Sequence, residues 1–213
     1  MKHFFLLCLF PGLLTAETMH LTEQLGKTVL YGDIAISPDG KNLAWVQSTA
    51  ATTTKQTCVR TASGDSAPTL VKIDNAAERR DADPAWSPDS KTVAFFSNAG
   101  EKNLEQDQLW IANADGSDPR LLFGDEKYGT SGSPAWSPDG RWIVFDTRKD
   151  GDAEIYVISA EGGAARRLTT NPADDVIPCW SHDGKWIYFG SNRTGRPEIF
   201  KMPASGGEAP VNA

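Results

Sequence analysis

Trp136-Ser137-Pro138-Asp139-Gly140, followed by Ile143-Val144-Phe145, is the stretch that decides how this chain folds. Proline, aspartate and glycine in succession are turn chemistry: proline presets φ, aspartate bonds nearby backbone amides, and glycine accepts positive φ. The segment that follows is apolar at consecutive positions and therefore on both faces, which marks a strand sandwiched between layers rather than one bordering water. The pattern recurs as Ile36-Ser37-Pro38-Asp39-Gly40, Trp86-Ser87-Pro88-Asp89-Ser90 and Trp180-Ser181-His182-Asp183-Gly184. The aspartates are spaced 89-39=50, 139-89=50 and 183-139=44 residues, a period that belongs to repeat architectures.

Working outward, every turn is followed by the same sequence of features. Leu43/Trp45, Val93/Phe95, Ile143/Phe145 and Ile187/Phe189 hold alternate positions of one strand, with Ala44, Ala94, Val144 and Tyr188 between them. A second β-branched or aromatic run comes next, at Thr57-Cys58-Val59, Leu109-Trp110-Ile111, Ile155-Tyr156-Val157 and Ile199-Phe200-Lys201. Each meets a glycine turn (Gly64, Gly116, Gly162-Gly163, Gly206-Gly207) that reads as a hairpin, and an outer strand follows at Leu70-Val71, Leu121-Leu122 and Arg167-Leu168. No stretch after Ala16 has a convincing helical period. The expected fold is all-β: a β-propeller of four-stranded antiparallel blades, about four of them, near residues 30–73, 83–124, 133–170 and 176–213 of a domain spanning 17–213.

The recurring Trp-Ser-Pro-Asp-Gly turn, the apolar strand after it, and Glu154-Ile155-Tyr156-Val157 with Glu161-Gly162-Gly163 resemble the WD40-like (PD40) repeats of TolB-type β-propellers. They are also similar to the repeats in the propeller domain of prolyl oligopeptidase and dipeptidyl peptidase relatives. The resemblance runs from about Tyr31 to Ala209 and is strongest in the third and fourth units; Ser90, His182 and Ile36 depart from it. It implies six blades for a TolB-type ring and seven or eight for a peptidase propeller, so about four blades read as an incomplete six- to eight-bladed propeller. Three arrangements would account for that: a portion of a longer protein, closure with another copy, or four blades closing alone. The first is favoured, because the sequence stops where the last outer strand should be starting.

Ahead of the repeats, Met1-Lys2-His3, the apolar run Phe4 to Leu14 and Thr15-Ala16 have the parts of a secretory signal peptide, with cleavage expected after Ala16. Removing it takes the net charge from -7 to -8, since Lys2 leaves and no acid does. The expected location is periplasmic or secreted, with no membrane insertion after cleavage. An acidic balance without a basic stripe argues against nucleic acid as a partner. Cys58 and Cys179 fall on distant units, in slots filled elsewhere by Trp110, Tyr156 and Phe200 and by Ala35, Ala85 and Ala135, and are expected to be separately buried thiols.

Asp39, Asp89, Asp139 and Asp183 sit on equivalent turns spread around a ring, so they are expected to serve their own turns and not a shared metal. The tryptophans before the turns are expected to pack between blades. No Gly-x-Ser-x-Gly elbow is present, and His20 and His182 lack the context of a triad, so neither catalysis nor a cofactor is expected. Short acidic clusters at Asp81-Ala82-Asp83, Asp150-Gly151-Asp152 and Asp174-Asp175 match no calcium pattern and read as solvated loop charge. Strand alternation puts the Ser-Pro-Asp turns on one side of the ring and the irregular, charged loops on the other. On that loop side Arg79, Arg80, Tyr128, Arg148, Arg193 and Arg196 are the candidate contacts for a protein or peptide partner. The function these readings suggest is a non-catalytic, exported binding or scaffolding module of the cell envelope. The alternative is the propeller portion of an exported prolyl oligopeptidase-type serine peptidase whose hydrolase domain lies elsewhere.

Overall fold

Each Ser-Pro-Asp turn, with His182 in place of proline in the fourth, is closed by its own side chains. Ser37, Ser87, Ser137 and Ser181 donate Oγ–H to Oδ1 of Asp39, Asp89, Asp139 and Asp183 at 2.6 Å. The same oxygen accepts the amide two residues on, at 3.0–3.1 Å, and the serine Oγ accepts the amide five residues on, at 2.9–3.0 Å. Donation from the serine hydroxyl, then from the backbone, holds all four carboxyls below the usual aspartate range. The residue after each aspartate has φ near +70°, glycine in three turns and Ser90 at 62° in the other. Ser90 tolerates a conformation that glycine takes more easily, and its Oγ accepts the Asp39 amide of the preceding unit at 3.1 Å.

In the computed structural model, which describes residues 29–49, 54–61, 67–73, 79–99, 106–124, 130–206 and 210–213, these turns join sixteen strands in four sheets. The first sheet holds β1 (Val29–Ile36), β2 (Asn42–Thr49), β3 (Gln56–Thr61) and β4 (Thr69–Leu70). The second holds β5 (Asp81–Trp86), β6 (Thr92–Ser97), β7 (Gln108–Asn113) and β8 (Arg120–Phe123). The third holds β9 (Ser131–Trp136), β10 (Trp142–Thr147), β11 (Glu154–Ser159) and β12 (Arg166–Arg167), and the fourth β13 (Asp175–Trp180), β14 (Trp186–Ser191), β15 (Glu198–Pro203) and β16 (Val211–Asn212). Strand order follows the chain within every sheet and all pairings are antiparallel, the arrangement of a propeller blade. The fourth sheet has its outer strand, β16, where the sequence was expected to break off just as that strand began. The signal peptide expected at 1–16 lies outside the described residues.

The first strand of each blade lies next to that of the following blade, so β1, β5, β9 and β13 line up in sequence along the inner side. Each carries a register shift against its neighbour. In β5, β9 and β13 the bulged residue is Asp83, Ser133 or Ile177, at φ 53–55°, and a proline follows it. Proline has no amide to give to a ladder, and a bulge is where a ladder can do without one.

The core is the stack of blade faces. Ala44 and Val71 of the first blade pack with Trp86, Val93 and Phe95 of the second. Phe96, Leu109 and Ile111 of the second meet Ile143, Phe145 and Tyr156 of the third. Val144 and Ile155 of the third meet Ile187, Phe189 and Phe200 of the fourth. The tryptophans do more than fill these gaps. Trp86, Trp136 and Trp180 each donate their indole N–H across the gap, to the carbonyls of Ala35, Ala85 and Ala135 on the preceding inner strand, all at 3.1 Å. Arg120 and Arg166 fasten the outer side, to the Ala160 and Ser205 carbonyls of the next blade.

Two expectations about side chains change here. Cys179 is exposed rather than buried: its slot is covered in earlier blades by the next sheet, and no described sheet follows the fourth. The side chain of Cys58 lies outside the described residues. Of the acidic clusters, Asp150 and Asp152 are exposed, as solvated loop charge would be, but two other carboxylates are not. Asp81 and Asp175, which open β5 and β13, are 1% and 0% exposed. Arg79 and Arg193 neutralise them, an arrangement that permits a carboxylate to be buried at all.

Candidate functional site at the loop-side mouth

Because strands alternate, β5, β9 and β13 start on the loop side, and β10 ends there. Three carboxylates are brought together near this end of the inner strands: Asp83 from the bulge of β5, Asp107 just ahead of β7, and Asp146 in β10. Asp83 Oδ2 accepts the Ser133 amide of the next inner strand at 3.1 Å, and Asp146 Oδ1 accepts the Ile177 amide of the one after at 3.0 Å. The carboxylate of one blade thus receives the amide freed by the bulge of the next. Gly132 makes room for this, since a Cβ there would stand 3.1 Å from Asp83 Oδ2.

Two of these acids, Asp146 and Asp107, are held above the usual carboxylate range. Burial pushes the Asp146 carboxyl up to about 6, opposed by the Ile177 amide and reinforced by the charge of Asp83. Burial also raises Asp107, again with Asp83 adding to the rise, while the Ser131 amide and Arg80 pull the other way. An aspartate whose protonation lies that near neutrality marks a candidate site. What this arrangement offers is a cluster of carboxylates suited to a positively charged group. Among the described residues no three His, Cys, Asp or Glu side chains converge as a metal-binding group.

On the loop side, the arginines singled out from the sequence have different fates. Arg79 is 2% exposed, donates Nε–H to Asp81 Oδ1 at 2.6 Å and Nη–H to the Val71 carbonyl, and lies over the Phe95 ring. It holds the first two blades together and cannot reach a partner from inside. Arg193 is similarly committed, to both oxygens of Asp175 at 2.9 and 2.7 Å and over the Phe200 ring at 4.6 Å. Arg80 is exposed beside the acids. Arg148 is exposed and forms a two-pronged pair with Asp174, 2.7 Å on each arm. Arg196, with 80% of its side chain exposed, pairs with Glu198 at 2.7 Å. Tyr128 lies outside the described residues. The structure therefore leaves Arg80, Arg148 and Arg196 facing water on the loop side. It adds Asp107 and Asp146, which sequence reading did not single out, and gives Asp83, read from the sequence as solvated loop charge, a hydrogen bond to the next inner strand.

Four blades stacked face to face, fastened at the inner strand and opening irregular loops on one side, define a β-propeller built from WD40-like units. The chain belongs to the TolB beta-propeller family: the family model, PD40, matches residues 82–212. Among solved structures it is similar to a protein assigned as TolB from Agrobacterium tumefaciens, at 26% identity and a TM-score of 0.67, covering 86% of this chain and 61% of that one. It is also similar to TolB from Acinetobacter baumannii, at 19% identity and a TM-score of 0.63, covering 85% of this chain and 42% of that one. A puromycin-hydrolysing peptidase of Mycobacterium tuberculosis matches at 17% identity with a TM-score of 0.67, over 86% of this chain and 29% of that one. The last two likenesses are of fold alone. The chain spans 61% and 42% of the length of the two TolB structures. No curated protein sequence matches it significantly.

Proposed function

We propose that this chain is a non-catalytic propeller of the cell envelope, exported by its leader, that binds a protein or peptide on its loop side. The observation that carries the reading is the asymmetry of the two sides. One side is four copies of a turn whose polar groups are spent on themselves, and the other has dissimilar loops with exposed charge around an acidic mouth. In repeat proteins the variable loop side is where recognition is placed. Arg80, Arg148 and Arg196, together with Tyr128, would contact acidic and aromatic groups of the partner, while Asp83, Asp107 and Asp146 would take a basic side chain inserted at the mouth.

The test is crosslinking of the protein to its neighbours in the envelope, followed by recovery from wild type and from the triple variant Arg80→Glu, Arg148→Glu, Arg196→Glu. A partner that is lost from the variant supports the reading; equal recovery removes it. The reading also holds that the chain alone hydrolyses nothing. A fluorophosphonate probe for activated serine should leave the purified protein unlabelled, and stoichiometric labelling would move the chain to the peptidase alternative.

A further inference from the structure

Among the described residues, the turn side carries equivalent grooves between the second and third blades and between the third and fourth, and their chemistry differs. The first, of about 480 Å³, is lined by Thr92, Pro138 and Glu161 together with Arg120 and Trp136. The other, of about 430 Å³, has Trp142, His182 and Ser205 at the corresponding positions, with Arg166 and Trp180 in the places of Arg120 and Trp136. Trp142 opens β10 as Thr92 opens β6, His182 stands in its turn where Pro138 does, and Ser205 enters the glycine turn after β15 as Glu161 does after β11. The groove between the third and fourth blades has thus exchanged a threonine, a proline and a carboxylate for two ring side chains and a hydroxyl. Its volume lies in the range of about 300–1,000 Å³ that holds small ligands.

Neither new ring is held by a side-chain hydrogen bond to another described residue. Trp142 is 43% exposed, and His182 is exposed in its turn. Trp186, at the place of Trp142 in the fourth blade, differs, because the Lys201 ammonium lies 5.3 Å from its ring. Trp180 also lines the groove, but its N–H is committed to the Ala135 carbonyl. Arg166 reaches over from β12 and donates one Nη–H to the Ser205 carbonyl at 3.1 Å. Gly206 clears its path, since a Cβ there would stand 2.8 Å from the same nitrogen. Asp139 and Asp183 line the groove as well. Each engages Oδ1 in its own turn and holds Oδ2 in a loose pair, 3.9 Å from Arg141 and 3.6 Å from Lys185.

We propose that the groove between the third and fourth blades binds a neutral sugar residue laid against Trp142. The two carboxylates disfavour an anion and the guanidinium disfavours a cation, whereas a sugar hydroxyl both donates and accepts. Hydroxyls would donate to Oδ2 of Asp139 or Asp183 and accept from Arg166, and His182 offers one nitrogen of each kind. The carboxyls are held below the usual aspartate range by their turn hydrogen bonds, so they remain acceptors at neutral pH. The apolar C–H face of the sugar ring would cover the indole, which is apolar in body and polar at its N–H. The neighbouring groove has the arginine and the aspartates but no exposed ring to stack on, and Glu161 adds a further negative charge. This groove lies on the turn side, so the inference stands apart from the partner-binding reading above.

The full chain is applied to an array of immobilised neutral, uronate-bearing and sulfated oligosaccharides, and those that retain it are titrated by calorimetry. Retention on neutral oligosaccharides is expected. The double variant Trp142→Thr, His182→Pro gives this groove the residues of its neighbour. Both replacements already stand at the same positions in another blade of this chain, so the variant is expected to fold, which thermal unfolding checks. It should bind the retained oligosaccharide more weakly by about tenfold, the scale of one lost aromatic stack. Thr92→Ala, in the neighbouring groove, should bind as wild type does. So should the loop-side triple variant Arg80→Glu, Arg148→Glu, Arg196→Glu, which keeps failure here distinct from failure of the partner-binding reading. No retention on any neutral oligosaccharide, or retention on charged ones alone, overturns the inference. Unchanged affinity in the double variant, or an equal loss in Thr92→Ala, overturns it as well.

Discussion

Replacing Trp86 by phenylalanine tests whether the blades are bonded to one another or only stacked. The indole N–H reaches the Ala35 carbonyl at 3.1 Å across the first gap, and the side chain is buried. Phenylalanine keeps an aromatic ring there but deletes the donor, leaving a half-buried carbonyl without its partner, a loss of about 1–2 kcal/mol. The smaller ring also gives up roughly 40 Å² of apolar contact, about 1 kcal/mol at the usual 25 cal/mol per Å². Together the variant should be less stable by about 2–3 kcal/mol. Trp142→Phe is the matched control, because that ring is 43% exposed and its loss should cost less than about 0.5 kcal/mol. The assay is urea unfolding followed by far-ultraviolet circular dichroism, with midpoints compared at equal m-values. If Trp86→Phe falls within 0.5 kcal/mol of the Trp142→Phe control, taken as the ~0.5 kcal/mol scatter of surface substitutions, the cross-blade bond carries nothing and the fastener argument is wrong.

Three other outcomes follow from the geometry. Asp146 has a folded pKa of about 6, above its unfolded value near 3.8, so the native state binds the proton more tightly. Stability should therefore fall as pH rises from 4 to 6, and Asp146→Asn should be more stable than wild type by roughly 1–2 kcal/mol at pH 7 and equal to it at pH 4. Parallel pH profiles for the two proteins in urea titrations would refute this. Arg79→Ala leaves Asp81 buried and unpaired and should cost about 3–5 kcal/mol, seen as loss of soluble protein or a collapsed melting temperature, whereas Arg196→Ala should change stability by less than about 1 kcal/mol. Gly140→Ala puts a side chain on a residue at φ +72° and 3.5 Å from Pro88; thermal unfolding should show a loss of about 1–2 kcal/mol.

How legible the fold was in the sequence depended on whether the deciding physics was local. The Ser-Pro-Asp turn is read correctly from five residues because its hydrogen bonds stay within six. The same locality makes the strands after it plain. Arg79 and Cys179 were misplaced for the opposite reason. Nothing near Arg79 in sequence distinguishes it from the exposed Arg80; what buries it is Val71 and Phe95, brought in by other strands. Cys179 stands in a slot whose burial depends on a neighbouring sheet and not on its own. The acidic mouth was missed because Asp83, Asp107 and Asp146 come from different strands, and only the stacking of the blades brings them together.

The tryptophan bond also bears on how such a chain changes length over generations. The second and third repeats each bring their own indole on one face and their own alanine carbonyl on the other, so a copy of either inserted between two others arrives with both halves of the joint and disturbs neither neighbour. Duplicating or deleting one unit is then a tolerable genetic accident, while substituting a single joint residue is not. A lineage built this way should vary more readily in the number of its blades than in the chemistry between them.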